Sequence, residues 1–494
     1  MNKQSEKLAK AIAYEAKKKK ERDEDKRPAF HVTPTTGWCN DPNGFSRFGE
    51  EYHLFYQYYP YENKWGPMHW GHCRTKDFIK WEELPCALAP DMEYDGQGCF
   101  SGTAVEHEGK HILMYTGVLD RVEADGSHTL RQTQCIAVGD GVNYEKLPAN
   151  PVITADALPE GSSGEDFRDP RIWKEGNTFY AAVGSLGADG SGQIALFSSQ
   201  DAEEWRFESI LDANGKRYGK MWECPDFFPL DGKQVLIVSP QFMRAEGLEF
   251  HNGNNSIYFV GTYDREKRSF LRGEARSVDC GLDFYAPQTV ETEDGRRVMV
   301  GWLQSWDNYM TPEDFLWSGM MTIPRELEIR EGRLIQNPVR ELENYRQKEV
   351  SCKGIRLSEQ QGSLELDGIR GRVLDMIVEA DVSRSASFTI HLAVGEGCET
   401  TISYEKEKGT LTTDRTCSGL KKDLLCTRSM YVDTKEGKLK LRLLLDKYTV
   451  ELFVNDGEQA MTSLIYTPLE AEGISFSCKG ETVLDITKYE IVLS

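Results

Sequence analysis

Three acidic residues stand at the same place in a repeated pattern. Asp41 lies in NDPNGF (40–45), Asp169 in RDPRIW (168–173) and Glu223 in ECPDFF (223–228). Two more segments, FSGTAV (100–105) and DFYAPQ (283–288), occupy the equivalent place and carry Ser101 and Asp283. Convergent carboxyl groups can cleave a glycosidic bond. One gives a proton to the leaving oxygen, and the other attacks or stabilises an oxocarbenium-like centre. Crowding sets their pKa values apart, so that one stays protonated near neutrality. The longer Glu223 suits the proton donor, and a short Asp on a rigid strand suits the nucleophile. A plainer reading makes these segments ordinary hairpins, since Asp-Pro and Asn-Gly favour turns. Three acids at matching places favour a site over turns alone.

The elements that would position these residues are legible in the spacing. Each segment precedes a glycine and an apolar run: Gly49-EEYHLFYQY, Gly109-KHILMYTG, Gly176-NTFYAAVGS, Gly232-KQVLIVSP and Gly295-RRVMVGWL. The repeat recurs every ~60 residues, which suits a four-stranded propeller blade with its loops. Each glycine would sit in a hairpin turn that needs positive φ. Five innermost strands would then bring Asp41, Ser101, Asp169, Glu223 and Asp283 toward one axis.

The fold class expected is all-β: a five-bladed β-propeller over 29–336 followed by a C-terminal β-sandwich over 349–494. A short helical linker spans 337–348. Residues 1–28, charged and rich in Lys, Glu and Ala, read as a helical extension on the surface. Sandwich strands are expected at Arg372-VLDMIVEADV, Ser387-FTIHLAV, Leu439-KLRLLL and Tyr448-TVELFV, with turns at Asn455-Asp456-Gly457 and Lys479-Gly480.

Aromatic residues cluster in or near the repeated segments: Trp38, Trp65, Trp70, Phe100, Tyr285 and Trp302. Sugar rings pack C–H faces on aromatic planes, and their hydroxyls need polar partners such as Asn40, Gln57 and Arg168. Trp70 and Trp81 read as core, and His69 and His72 as structural. The formal net charge of −21 argues against nucleic-acid binding and gives no attraction to anionic membranes. The twelve cysteines include no CxxC pair, which speaks against zinc. No metal or organic cofactor is implied. With no secretory or membrane-spanning stretch, a cytoplasmic location is expected. Oligomeric state is not readable.

Trp38-Cys39-Asn40-Asp41-Pro42-Asn43-Gly44 resembles the WxNDPNG motif of glycoside hydrolase family 32. Phe100-Ser101-Gly102, Arg168-Asp169-Pro170 and Glu223-Cys224-Pro225-Asp226 resemble its other motifs, in order, and Val450-ELFVNDG matches near the C-terminus. The resemblance covers about residues 28 to 494 and implies a propeller followed by a sandwich. It also implies retaining hydrolysis of terminal β-fructofuranosides such as sucrose or sucrose 6-phosphate. Asp41 would be the nucleophile, Glu223 the acid/base, and Asp169 the residue holding fructose hydroxyls. Trp38, Asn40, Gln57, Trp65, Phe100, Ser101, Arg168, Cys224, Tyr285 and Trp302 would form the substrate-binding set. Cys39 departs from the larger apolar residue common at that position and is expected to face away from Asp41. Cys224 should tune the surroundings of Glu223. Other outcomes of the same motifs are hydrolysis of short inulin- or levan-type fructans, fructosyl transfer, and sugar binding without catalysis. Phosphate recognition would need a rim cation, for which Lys64 and Arg171 are the candidates.

Overall fold

The computed structural model describes residues 5–419 and 424–493. All five repeat glycines adopt positive φ: 61° at Gly49, 70° at Gly109, 59° at Gly176, 73° at Gly232 and 83° at Gly295. Each turns the innermost strand of a blade back on itself. The five innermost strands are Gly37–Phe48, Gly98–His107, Phe167–Glu175, Trp222–Leu230 and Tyr285–Glu291. They pack side by side around a central channel and make a five-bladed β-propeller. The ring closes where Trp317–Ser318 pairs in parallel with Gly37 and Trp38.

Every innermost strand breaks register at its motif. The irregularities fall between Cys39 and Pro42, Phe100 and Gly102, Arg168 and Arg171, Glu223 and Asp226, and Tyr285 and Gln288. Four of these bulges contain a proline (Pro42, Pro170, Pro225, Pro287), whose nitrogen has no proton for the ladder. A bulge turns the strand and re-aims the neighbouring side chains. Asp169 (φ 64°), Cys224 (φ 47°) and Ala286 (φ 50°) take the left-handed conformation there. Such backbone strain in non-glycine residues persists only where its surroundings enforce it.

The C-terminal part is a β-sandwich. Two long strands, Val373–Gly395 and Gly473–Ile491, pair with each other along most of their length. Alternate residues Leu374, Met376, Val378, Ala380 and Val382 are buried, as one covered face requires. The expected turn at Lys479-Gly480 is absent. Gly480 lies inside the second long strand, opposite the bulged stretch Arg384–Ser387. A Cβ at Gly480 would stand 2.5 Å from the Arg384 carbonyl oxygen, so this glycine serves a close backbone approach instead.

The N-terminal helix Glu6–Lys18 is capped by Ser5, whose hydroxyl accepts the Leu8 amide at 3.1 Å. It is less superficial than expected. Ala11 and Glu15 are buried, and the Glu15 carboxylate accepts the Cys86 amide at 3.0 Å on the outer strand of the first blade. A short 3-10 helix, Arg340–Tyr345, follows the last propeller strand.

Buried ions join propeller and sandwich. His31 contacts Asp446 and Glu451, both at 2.8 Å, and Arg325 reaches Glu451 at 2.5 Å and Asp279 at 3.0 Å. Asp283 belongs to this seam. It pairs with Arg415 and accepts the Leu464 amide, and is buried away from the channel. That corrects its expected place. The strand starts only at Tyr285, so Asp283 precedes the bulge that aims the other acids inward.

Candidate active site

A pocket of about 400 Å³ opens at the channel end where the motif residues lie. Asn40, Asp41, Gln57, Trp65, Phe100, Ser101, Arg168, Asp169 and Glu223 line it, nine of the thirteen residues singled out from sequence. The other four lie behind this lining. Trp38 is buried and donates from Nε1 to Asn40 Oδ1 at 2.7 Å. Trp302 packs edge-on against Trp38 at 5.8 Å. The Tyr285 hydroxyl donates to Glu223 Oε2 at 2.6 Å and also stands 3.0 Å from the Ser239 carbonyl oxygen. Cys224 lies between acids: its amide donates to Asp169 Oδ2 at 3.1 Å, and its thiol to Asp41 Oδ2 at 3.5 Å. Its side chain therefore faces Asp41, not Glu223. Cys39 points into the core, as expected on an extended strand.

Asp41 Oδ2 also accepts the Ser101 hydroxyl at 2.7 Å. Oδ1 is buried and has no hydrogen bond among the described residues. Burial and the nearby charge of Glu223 push the Asp41 carboxyl up to about 6, tempered by Ser101, Asn40 and Cys224. Burial and Glu223 likewise raise Asp169, with Arg168 opposing. The Cys224 thiol sits well above its ordinary range, from burial and from Asp169 and Asp41, so it stays protonated.

Arg168 organises the acids. Nε donates to Glu223 Oε1 at 3.0 Å, Nη1 to Asp166 at 2.9 Å and to Gln132 at 3.3 Å, and Nη2 to Gln241 at 3.4 Å. Burial works against its charge, but Glu223, Asp169 and Asp166 hold it protonated. Gln57 is fixed by donating to the Cys99 carbonyl at 2.9 Å. Trp65, half exposed at the mouth, meets Phe100 edge-on at 6.1 Å.

Seven lining residues escaped the sequence reading: Gln132, Glu165, Asp166, Gln241, Phe242, Asn254 and Trp306. Only Asp166 and Gln241 carried a signal. Asp166 stands two residues before Arg168, and Gln241 directly follows an apolar run of the repeat. Arg171 is excluded from this mouth. It pairs with Asp226 at 3.1 Å and lines a separate cavity at the other end of the channel. Lys64 is exposed and does not line the pocket. His72 stacks on Phe55 at 4.0 Å, and His69 contacts the Pro67 carbonyl at 2.9 Å. Among the described residues no cluster of His, Cys, Asp or Glu could hold a metal ion.

A family profile described as "Glycosyl hydrolases family 32 N-terminal domain" matches residues 31–338, and one described as "Glycosyl hydrolases family 32 C terminal" matches 341–491. The chain belongs to glycoside hydrolase family 32. It is 36% identical over 480 residues to a sucrose-6-phosphate hydrolase of Zymomonas mobilis, covering 93% of this chain and 91% of that protein. It is 35% identical to a raffinose invertase of Escherichia coli, covering 92% and 93%. Among solved structures, a family 32 β-fructofuranosidase of Bombyx mori superposes with a TM-score of 0.85 at 33% identity, covering 98% of each chain.

Proposed function

We propose that this protein hydrolyses terminal β-D-fructofuranosides, sucrose or sucrose 6-phosphate, with retention of configuration. The propeller carries the chemistry, and the sandwich beyond residues 337–348 is accessory. Asp41 is the nucleophile, Glu223 the acid/base and Asp169 the residue that holds fructose hydroxyls. The names of the Zymomonas, Escherichia and Bombyx relatives support the substrate class.

The observation that carries the roles is the anchoring of the Asp41 carboxylate. Oδ2 is held by Ser101 and Cys224, which fixes the carboxylate group in the pocket wall. In the first step a carboxylate oxygen of Asp41 bonds to the anomeric carbon of fructose. The bond to the leaving oxygen breaks, and the Glu223 carboxyl supplies that oxygen's proton. In the second step Glu223 takes a proton from water, whose oxygen displaces Asp41 from the same carbon. Tyr285 and Arg168 orient Glu223 for both transfers. Asp169, held by the Cys224 amide, accepts from sugar hydroxyls as charge develops.

The free state of all twelve cysteines supports a reducing, cytoplasmic setting, and the acidic net charge supports a protein without nucleic-acid or membrane partners. Among the described residues no helix is long and apolar enough to cross a membrane.

Early-time NMR of sucrose hydrolysis tests the mechanism. β-Fructofuranose should appear first and equilibrate afterwards. The α anomer appearing first would rule out a double displacement through Asp41.

A further inference from the structure

The pocket has two sides of different character. The fructose side is built mostly from the innermost strands, with Gln57 from the strand Glu51–Tyr59 and Trp65 from the connection after it. The rest of the lining, outside the motif segments, is Gln132, Glu165, Asp166, Gln241, Phe242, Asn254 and Trp306, and the leaving group would sit on this side. Arg168 is the single cation among the described lining residues, against five carboxyl groups: Asp41, Glu165, Asp166, Asp169 and Glu223. The donors of Arg168 are already committed to Glu223, Asp166, Gln132 and Gln241. Arg131 stands behind Glu165, 3.8 Å from it, and is tied to Glu123 at 3.2 Å. Lys64 and Arg244 are exposed and do not line the cavity.

Phe242 is the second unusual feature. It is 69% exposed at the mouth and holds φ at 58°. A bulky aromatic residue rarely adopts that conformation, and strain of this kind gathers at ligand clamps. The strand Lys233–Pro240 ends just before it, and Met243 bridges to Gly253 just after, so the backbone on both sides is fixed. The ring is thus presented to the mouth as an apolar plane beside carboxylates and amides. That combination suits a hexose, with its C–H face on the ring and its hydroxyls on the acceptors.

We propose that the leaving-group side takes a neutral hexosyl group, seated on Phe242 and bound by Glu165 and Asp166, and disfavours a phosphorylated one. A phosphate dianion placed there would meet carboxylates and no uncommitted cation among the described residues. This rests on the fructosidase reading above and selects between its two substrates. It differs from the substrate named for several relatives.

The test is kcat/KM of the full chain on sucrose, sucrose 6-phosphate and methyl β-D-fructofuranoside. Sucrose should exceed its phosphate by ~10-fold or more, and Glu165→Lys should narrow that ratio by ~10-fold. Phe242→Ala should cost ~10-fold on sucrose and several-fold less on the methyl glycoside, which has no ring to seat. Faster turnover of sucrose 6-phosphate than sucrose overturns the inference and leaves the fructosidase reading intact. So does an equal loss on both neutral substrates in Phe242→Ala. Inertness toward all three substrates overturns the fructosidase reading itself.

Discussion

The Cys224 thiol and the Ser101 hydroxyl converge on one oxygen of Asp41, at 3.5 and 2.7 Å, although Cys224 neighbours Glu223 in sequence. The two donors come from different blades, so one carboxylate oxygen is pinned by contacts that only the closure of the propeller makes.

Cys224 is a positioning residue on these contacts. Cys224→Ala should keep activity within ~10-fold of wild type, because Ser101 still holds Asp41. Asp41→Ala, which removes the proposed nucleophile, should lose ~10⁴-fold or more. Initial rates on sucrose measure both. Equal losses would give the thiol a chemical role.

The pH profile follows from Asp41. Its folded carboxyl is pushed up to about 6, and the attacking form is the ionised one. Activity should therefore fall as pH drops through about 6 rather than near 4. Ser101→Ala removes a donor that favours the ionised form. It should move the acid limb of kcat/KM upward by about half to one unit. An unmoved limb would show that another group controls it.

In the proposed mechanism Asp169 binds where the sugar's charge develops. Asp169→Asn keeps the shape but loses the negative acceptor, and should cost ~10²–10³-fold in kcat with a smaller change in KM. A change confined to KM would make Asp169 a ground-state contact only.

The seam between propeller and sandwich should titrate. Burial opposes a charge on His31, but Asp446 and Glu451 raise it to about 9, above its ordinary value of 6.5. Its stabilisation is fully present below pH 6.5 and is lost as pH rises through about 9. The effect is of order 3 kcal/mol. Denaturant midpoints from pH 6 to 10 should decline for the native chain. His31→Gln should start lower, by roughly 3–5 kcal/mol, with a flatter profile. A native profile already flat across that range would place the stabilisation elsewhere.

The repeat of glycine, apolar strand and polar motif determined the propeller, because a blade needs its hairpin glycine and its alternating strands wherever it occurs. The same repeat determined which strands face the channel, and with them Asp41, Asp169 and Glu223. It could not place Asp283, which stands two residues before its strand and is taken by Arg415 of the sandwich. Nor could it separate Tyr285, Trp38 and Trp302, buried behind the acids, from Phe100 and Trp65 on the pocket wall, since aromatic residues serve both places. The leaving-group side was hidden almost entirely. Gln132, Glu165, Phe242, Asn254 and Trp306 come from several blades, Phe242 and Asn254 from one connection, and share no period. Only ring closure brings them around one cavity. Sequence alone determined the bond this protein attacks, because that chemistry sits at one repeated place on the innermost strands. The sugar that leaves is decided by the tertiary structure, because irregular segments meet there only after the chain has folded.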